Sequence, residues 1–475
     1  MPLILPGNVG SATAATGYDV ANSCRFNDDD SAYMHKTCGS AFNTDRWTIS
    51  LWFKRGNLGI DTRLISCDND DGSNDDYIRF DSSDQMEFMI YEGSSIVGLL
   101  KPNMVFRDVS AWYHLVCVWD SANGTAGNRM RMYVNGTEVT SFETDTNPSE
   151  GVNASWGNTS HPIEVGRRGS ANNQYFDGYM AEVAVCDGQA YAASDFGEFD
   201  EDSGIWKPID VSGLTFGTSG FYLDFQASGN LGNDANGGTD LTEVNLAATD
   251  QSTDTCTNNS CVINSLDAYW EASTFSEGNC KIVTESSDYS YNTSTIGLTT
   301  GKWYCEVFIE TTPHPTTKDS MIGIAGRMSE ASQGYLGLYA DTYGIYGGNG
   351  NIYNDGSASY GVSHTTNDII GIYMDLDNNK LYFAINGTIQ NSGTGVSITA
   401  VASTTNGFYF PMVGDVDSDA PVWEVNFGNP ISPLTSAVSD VNGYGSFEYD
   451  PSAGTFDSAS KDFLAICTKN LATDG

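Results

Sequence analysis

Apolar residues along this chain come in short runs, each bounded by Gly, Asn, Asp or Ser clusters, with hardly a stripe of helical period between them. Short apolar runs separated by turn-forming residues predict β-strands, and their steady recurrence predicts β-sandwiches. Trp47-Thr48-Ile49-Ser50-Leu51-Trp52-Phe53 reads as the first clear strand and Tyr113 to Trp119 as a buried one. Met130 to Val134 runs into Asn135-Gly136-Thr137, where Asn-Gly marks a tight hairpin. Phe221 to Phe225 closes this block, and residues 229–262 then hold few large apolar side chains, as an interdomain linker does. A second block follows with Trp303 to Ile309, Met321 to Ala325, Ile369 to Asp375, Lys380 to Ile385 and Val422 to Phe427, and again a strand meets Asn386-Gly387-Thr388. The expected organisation is an N-terminal arm (1–24), a first sandwich (25–228), a polar linker (229–262), a second sandwich (263–430) and a C-terminal extension (431–475).

Composition narrows the function. The chain has 475 residues, with 21 Lys plus Arg against 61 Asp plus Glu, a formal net charge of -40. Nucleic acids and anionic membrane surfaces are held by cationic side chains, so neither is an expected partner. No apolar run is long enough to span a bilayer, and Met1 to Pro6 lacks the basic start and apolar core of an export leader. The ten cysteines are scattered. Cys117 and Cys305 sit in strand patterns as small hydrophobes, most of the others are expected as thiols, and Cys256 with Cys261 is the best disulfide candidate. Cys256, Cys261 and Cys280 lack the ligand spacing of a zinc site. Seven Asn-x-Ser/Thr matches follow from the abundance of those residues.

The order of motifs in residues 25–228 resembles laminin-G-like members of the concanavalin-A-like lectin and glucanase superfamily. The resemblance lies in Trp47 to Lys54, Trp112-Tyr113-His114-Leu115-Val116, Tyr133-Val134-Asn135-Gly136 and Phe176 to Val183. Residues 263–430 resemble a SPRY domain through Gly301 to Val307, Ile322-Gly323-Ile324-Ala325, Asp368 to Asp375 and Leu381 to Gly387. The tandem, closed by Gly445-Ser446-Phe447-Glu448-Tyr449 and Phe463 to Leu471, is similar to marine bacteriophage proteins described as tail-fibre or virion-surface components. These resemblances imply an all-β chain of two concanavalin-A-like jelly-roll sandwiches. They also imply a virion location, other virion proteins as partners and a homotrimeric assembly. With no heptad run visible, trimerisation falls to sandwich faces or termini, and the arm over 1–24 is expected to order on a partner.

Glucanases of this superfamily carry Glu-x-Asp-x-x-Glu on one strand, which this chain lacks. Glu306 and Glu310 share a strand face, but their Cα atoms lie about 13 Å apart along it, too far for a catalytic pair. None of the five histidines accompanies a nucleophile elbow, and His114 reads as structural. Catalysis is therefore not expected. Calcium is the expected cofactor if any, at Asp68, Asp70, Asp71 and Asp75 within Asp68 to Asp76, with Asp28-Asp29-Asp30 and Asp415, Asp417 and Asp419 as second choices. The Tyr- and Gly-rich run from Gly334 to Tyr346, continuing to Tyr353 and Tyr360, carries the expected binding site at Tyr335, Tyr339 and Tyr343, while Tyr346 and Tyr353 read as sandwich filling. Tyrosine presents a rigid apolar face and a hydroxyl, which suits sugar rings. The expected function is a non-enzymatic virion-surface protein that binds a host receptor, with a glycan foremost. A structural decoration protein and a polysaccharide depolymerase are the alternatives.

Overall fold

The computed structural model describes residues 17–474 except 41, 70–71, 158, 271–272, 285–288, 313, 315, 329–333, 416–419 and 458–460. The described residues up to Thr257 form one compact unit and those from Asn258 a second. Among them the only α-helix is Thr468–Asp474, and no helix is long and apolar enough to cross a membrane.

In the first unit two sheets face each other. At the centre of one, Arg46–Arg55 lies antiparallel between Tyr113–Asp120 and Gly178–Asp187. The other contains the meander Thr62–Asp68, Asp75–Phe80, Met86–Glu92 and Ser95–Pro102. Alternation fixes what lies between them. Trp47, Ile49, Leu51 and Phe53 point inward to meet Ile65, Ile78, Phe88 and Ile90 in one buried cluster. Trp47, Trp119 and Trp156 stack within it.

Residues 229–257 of the expected linker are part of this sandwich, and 258–262 belong to the second unit. Thr242–Val244 pairs with Tyr33–Lys36, Gln251–Ser252 pairs with Ser23–Phe26, and Leu231 and Leu241 enter the core. Sparse apolar content misled the reading because polar ties hold this stretch: the buried Asp234 accepts from the Tyr222 and Asn236 backbones and from Lys36 Nζ. All ten cysteines are free thiols, Cys256 and Cys261 included.

The second unit is not a second jelly roll, which corrects the expected fold class. One sheet runs Ile263–Trp270, Ser290–Ser294, Phe410–Asp415, Ser320–Ala325, Thr342–Tyr346, Ile352–Tyr353, Ser357–Ala358. The other centres on Lys302–Thr311, between Ile369–Asp375 and Val422–Asn426, and gains a parallel partner, Leu464–Ala465, from the C-terminal extension. Local alternation predicts strands and their inward faces but not the order in which distant strands meet, and that order separates the two sandwiches. The extension packs Phe447, Phe456 and Phe463 over the outward rings of Tyr304, Tyr373 and Tyr382.

Candidate functional site

Strand Thr342–Tyr346 separates the expected tyrosines. It pairs with Ser320–Ala325 on one side and Ile352–Tyr353 on the other, so successive side chains face opposite ways. Tyr343 points inward, 3% exposed, with its hydroxyl donating to the Ala340 carbonyl and accepting from the Thr399 backbone. Tyr346 points outward to join Tyr335 and Tyr353, all half-buried against Tyr291, Met321, Leu336 and Met412. Ring centroids lie 6.1 Å apart for Tyr289 and Tyr335, 6.0 Å for Tyr335 and Tyr353, and 5.5 Å for Tyr353 and Tyr346. These four rings form a ladder. Tyr339 stands apart, beneath the Arg327 guanidinium at 4.0 Å, which also donates to Asp341 at 2.7 Å. Burial pushes the Asp341 carboxyl up, but hydrogen bonds from Arg327 and Thr405 outweigh it and hold the group below its ordinary value.

Of the expected site, then, Tyr335 stays in an aromatic array, with Tyr346 and Tyr353 as companions, while Tyr343 belongs to the core. Only the register distinguishes these roles.

A hollow of about 460 Å³ opens at the edge of the same sheet, lined by Tyr343, Tyr360, Asn354, Asp355, Ser357, Ser359, Asn391 and Ser397. Its loops turn sharply through Asp355 (φ 44) and Gly356 (φ 139). Asn354 Nδ2 pins them by donating to the Tyr339 and Thr342 carbonyls. The hollow's lining carries amide, hydroxyl and carboxylate groups, donors and acceptors of the kind that hold polyhydroxyl ligands.

The carboxylates have other duties. Glu306 is buried and accepts from Tyr304 Oη, Asn426 Nδ2 and the Glu448 and Tyr449 backbones, and burial raises its pKa despite those bonds. Glu310 pairs with Lys281 at 2.7 Å. His114 is buried between Ser50 and Trp206, and burial lowers its pKa to about 3, so the ring is neutral. Asp68 accepts from Ser170 and pairs with Arg168, while Asp75 pairs with Arg63 and Arg168. Asp70, Asp71, Asp417 and Asp419 lie outside the described residues. Among the described residues no group of three or more His, Cys, Asp or Glu is placed to hold a metal.

Sequence reasoning missed Glu182. It lies in the strand Gly178–Asp187 at a register shift between Ala181 and Ala184, with φ 51, and accepts from Tyr222 Oη at 2.5 Å. Burial pushes its pKa up to about 7. A glutamate within the apolar run 178–185 was its one signal.

Comparison with known proteins agrees with two domains. Residues 27–193 match a laminin-G-type family described as the concanavalin A-like lectin/glucanases superfamily, and residues 302–416 match the SPRY domain family. No curated protein matches the chain. Solved structures similar to it include the SPRY domain of human HERC1 (16% identity, 34% of this chain and 96% of that one, TM-score 0.29). A heptameric SAP-like pentraxin from Limulus polyphemus is similar at 14% identity, over 37% of this chain and 80% of that one, with TM-score 0.26. A putative carbohydrate binding protein from Bacteroides ovatus is similar at 16% identity, over 48% and 58%, with TM-score 0.34. The chain is a tandem of a laminin-G-like domain and a SPRY-like domain, two kinds of domain that are typically non-catalytic.

Proposed function

We propose that this chain is a phage virion-surface protein that binds a glycan on the host cell through its SPRY-like domain. The observation that carries the glycan reading is the ladder Tyr289, Tyr335, Tyr353 and Tyr346, on the domain whose sheet edge holds the polar hollow. Half-buried rings offer flat faces to the C–H surface of a sugar, and the hollow supplies acceptors and donors for hydroxyls. The virion location is supported by the resemblance of the tandem and its closing motifs to phage fibre and surface proteins. Single contacts of this kind are weak, and display in several copies, three in a fibre-like trimer, multiplies them into useful avidity.

The test is adsorption of the full-length protein to host cells. The double variant Tyr335→Ala, Tyr353→Ala is expected to lose adsorption while keeping its β-sheet circular dichroism. Adsorption at the wild-type level by the folded variant refutes the reading.

A further inference from the structure

The first domain carries a second aromatic feature, beyond the region matched by its family. Gly197–Phe199 and Trp206–Pro208 form a two-stranded ribbon in which Phe199 faces Trp206 across the pair. An isolated two-stranded ribbon is marginal in water, so something must hold it. The anchor is a column of three rings. Trp52 stacks on His114 at 4.7 Å, and His114 stacks on Trp206 at 5.9 Å. Trp206 Nε1 donates to His114 Nδ1 at 2.9 Å, and His114 Nε2 is bonded to Ser50 Oγ at 2.8 Å. Gly136 and Gly197 let backbone approach the indole so closely that a Cβ at either would fall 2.2 or 2.5 Å from it. The ribbon tip is tied as well, with Asp200 accepting from the Ser203 backbone and hydroxyl.

This rigid mount presents apolar surface to solvent. Phe199 is 52% exposed and Ile205 39%, and Phe199 stands edge-on to Trp206 at 4.9 Å. Beside them lies a hollow of about 380 Å³, whose lining includes Tyr133, Ser194, Glu198, Phe199 and Trp206. Apolar faces fixed in place, with a hydroxyl and a carboxylate at the rim, have the make-up of a binding surface. The charge around it selects the ligand. Glu138 beside Tyr133, Glu198 in the lining and Asp200 at the ribbon tip outnumber Arg131, which bonds to Tyr133, and Lys207, which Glu198 and Asp200 already engage. An acidic sugar or phosphate is repelled there.

We propose that the Phe199–Trp206 ribbon is a second saccharide site, specific for an uncharged pyranose of a glycan. The C–H face of the ring lies on Phe199 and the Trp206 edge, while Glu198 accepts from and Ser194 bonds to its hydroxyls. This site stands on the first domain alone and does not depend on the tyrosine ladder of the second.

The test is a glycan array with the full-length protein, followed by tryptophan-fluorescence titration with the neutral glycans it retains. Phe199→Ala, an exposed position, is expected to keep the melting temperature and weaken neutral-glycan binding about tenfold or more, the loss of one aromatic hot spot. The tyrosine double variant is expected to leave that fraction intact. The proposal is overturned if no neutral glycan is bound, if anionic glycans are selected, or if folded Phe199→Ala binds unchanged. Complete loss of glycan binding in the tyrosine double variant also overturns it and leaves the SPRY-domain reading standing. Capture of peptides in place of sugars by this ribbon refutes it as well.

Discussion

Glu182→Gln tests whether the bulged strand holds a buried, uncompensated carboxyl. Glu182 is 6% exposed, and the charged groups facing it, Asp224 and Asp210, are both acidic. Burial is the largest cause of its displacement, and the hydrogen bonds from Tyr222 and Tyr18 only partly offset it. Its pKa rises from 4.5 to about 7 on folding. The folded state therefore binds this proton more tightly than the unfolded chain. Below pH 4.5 both states are protonated and nothing is lost; as pH climbs toward 7 the unfolded chain ionises first, and stability falls until the folded group ionises too. At 1.36 kcal/mol per pH unit the full loss is about 3 kcal/mol. Glutamine keeps the volume and the acceptor for Tyr222 but cannot ionise. The variant is expected to match the wild type near pH 4.5 and to exceed it at pH 8 by about 3 kcal/mol, which for a unit of this size is roughly 6 to 12 °C in Tm. Differential scanning calorimetry of both proteins at the two pH values checks this, and other titrating acids cancel in the difference. A gap that is the same at pH 4.5 and pH 8 refutes the reasoning.

Three further expectations concern stability and ions. Tyr343→Ala opens a core cavity and is expected to cost about 3 to 5 kcal/mol, whereas Tyr335→Ala should cost under about 1 kcal/mol; urea unfolding of the two variants compares them. With a net charge of -40, Tm is expected to rise from low salt to seawater-like NaCl, because the screening length falls from about 10 Å at 0.1 M to about 3 Å at 1 M; a flat or falling Tm refutes this. Calcium at the 68–75 loop has to draw Asp68 and Asp75 from Arg63 and Arg168, so its expected signature is a Tm that rises with millimolar CaCl2 and falls back with EDTA; no change removes the site.

Strand existence was legible because each strand announces itself locally. The two Asn-Gly hairpins show this well: Asn135 and Gly136 have φ 47 and 75, Asn386 and Gly387 have φ 48 and 73, the left-handed pair that such turns demand. Strand order was not legible, since it depends on which distant segments meet, and so the second, SPRY-like sandwich was expected to be a jelly roll as well. Residues 229–257 were lost for a different reason: the stretch docks through two short pairings and the buried Asp234, and neither leaves an apolar run to notice. At the candidate site the residue type was informative and the direction was not. Tyr343 and Tyr346 look alike in sequence, yet three residues apart on a strand they face opposite sides.

The burial pattern also shows how several buried acids serve the structure. With 61 acids and only 21 lysines and arginines, most carboxylates cannot find a cation, and those taken inside must be satisfied by neutral donors or stay protonated. Glu306 takes the first course, with a phenol, an amide and two backbone N–H groups around it, and ties residues 448 and 449 of the extension to the sheet. Asp76 is fully buried and accepts from the Tyr91 and Ser155 backbones; burial and then the nearby Glu92 push its pKa well up. Glu182 takes the second course. The hydrogen bonds that occupy Glu306 and Asp76 give both carboxyls a structural duty. On the proposed reading, surface rings and hydroxyls do the recognising, and an acidic background favours them because it turns anionic competitors away.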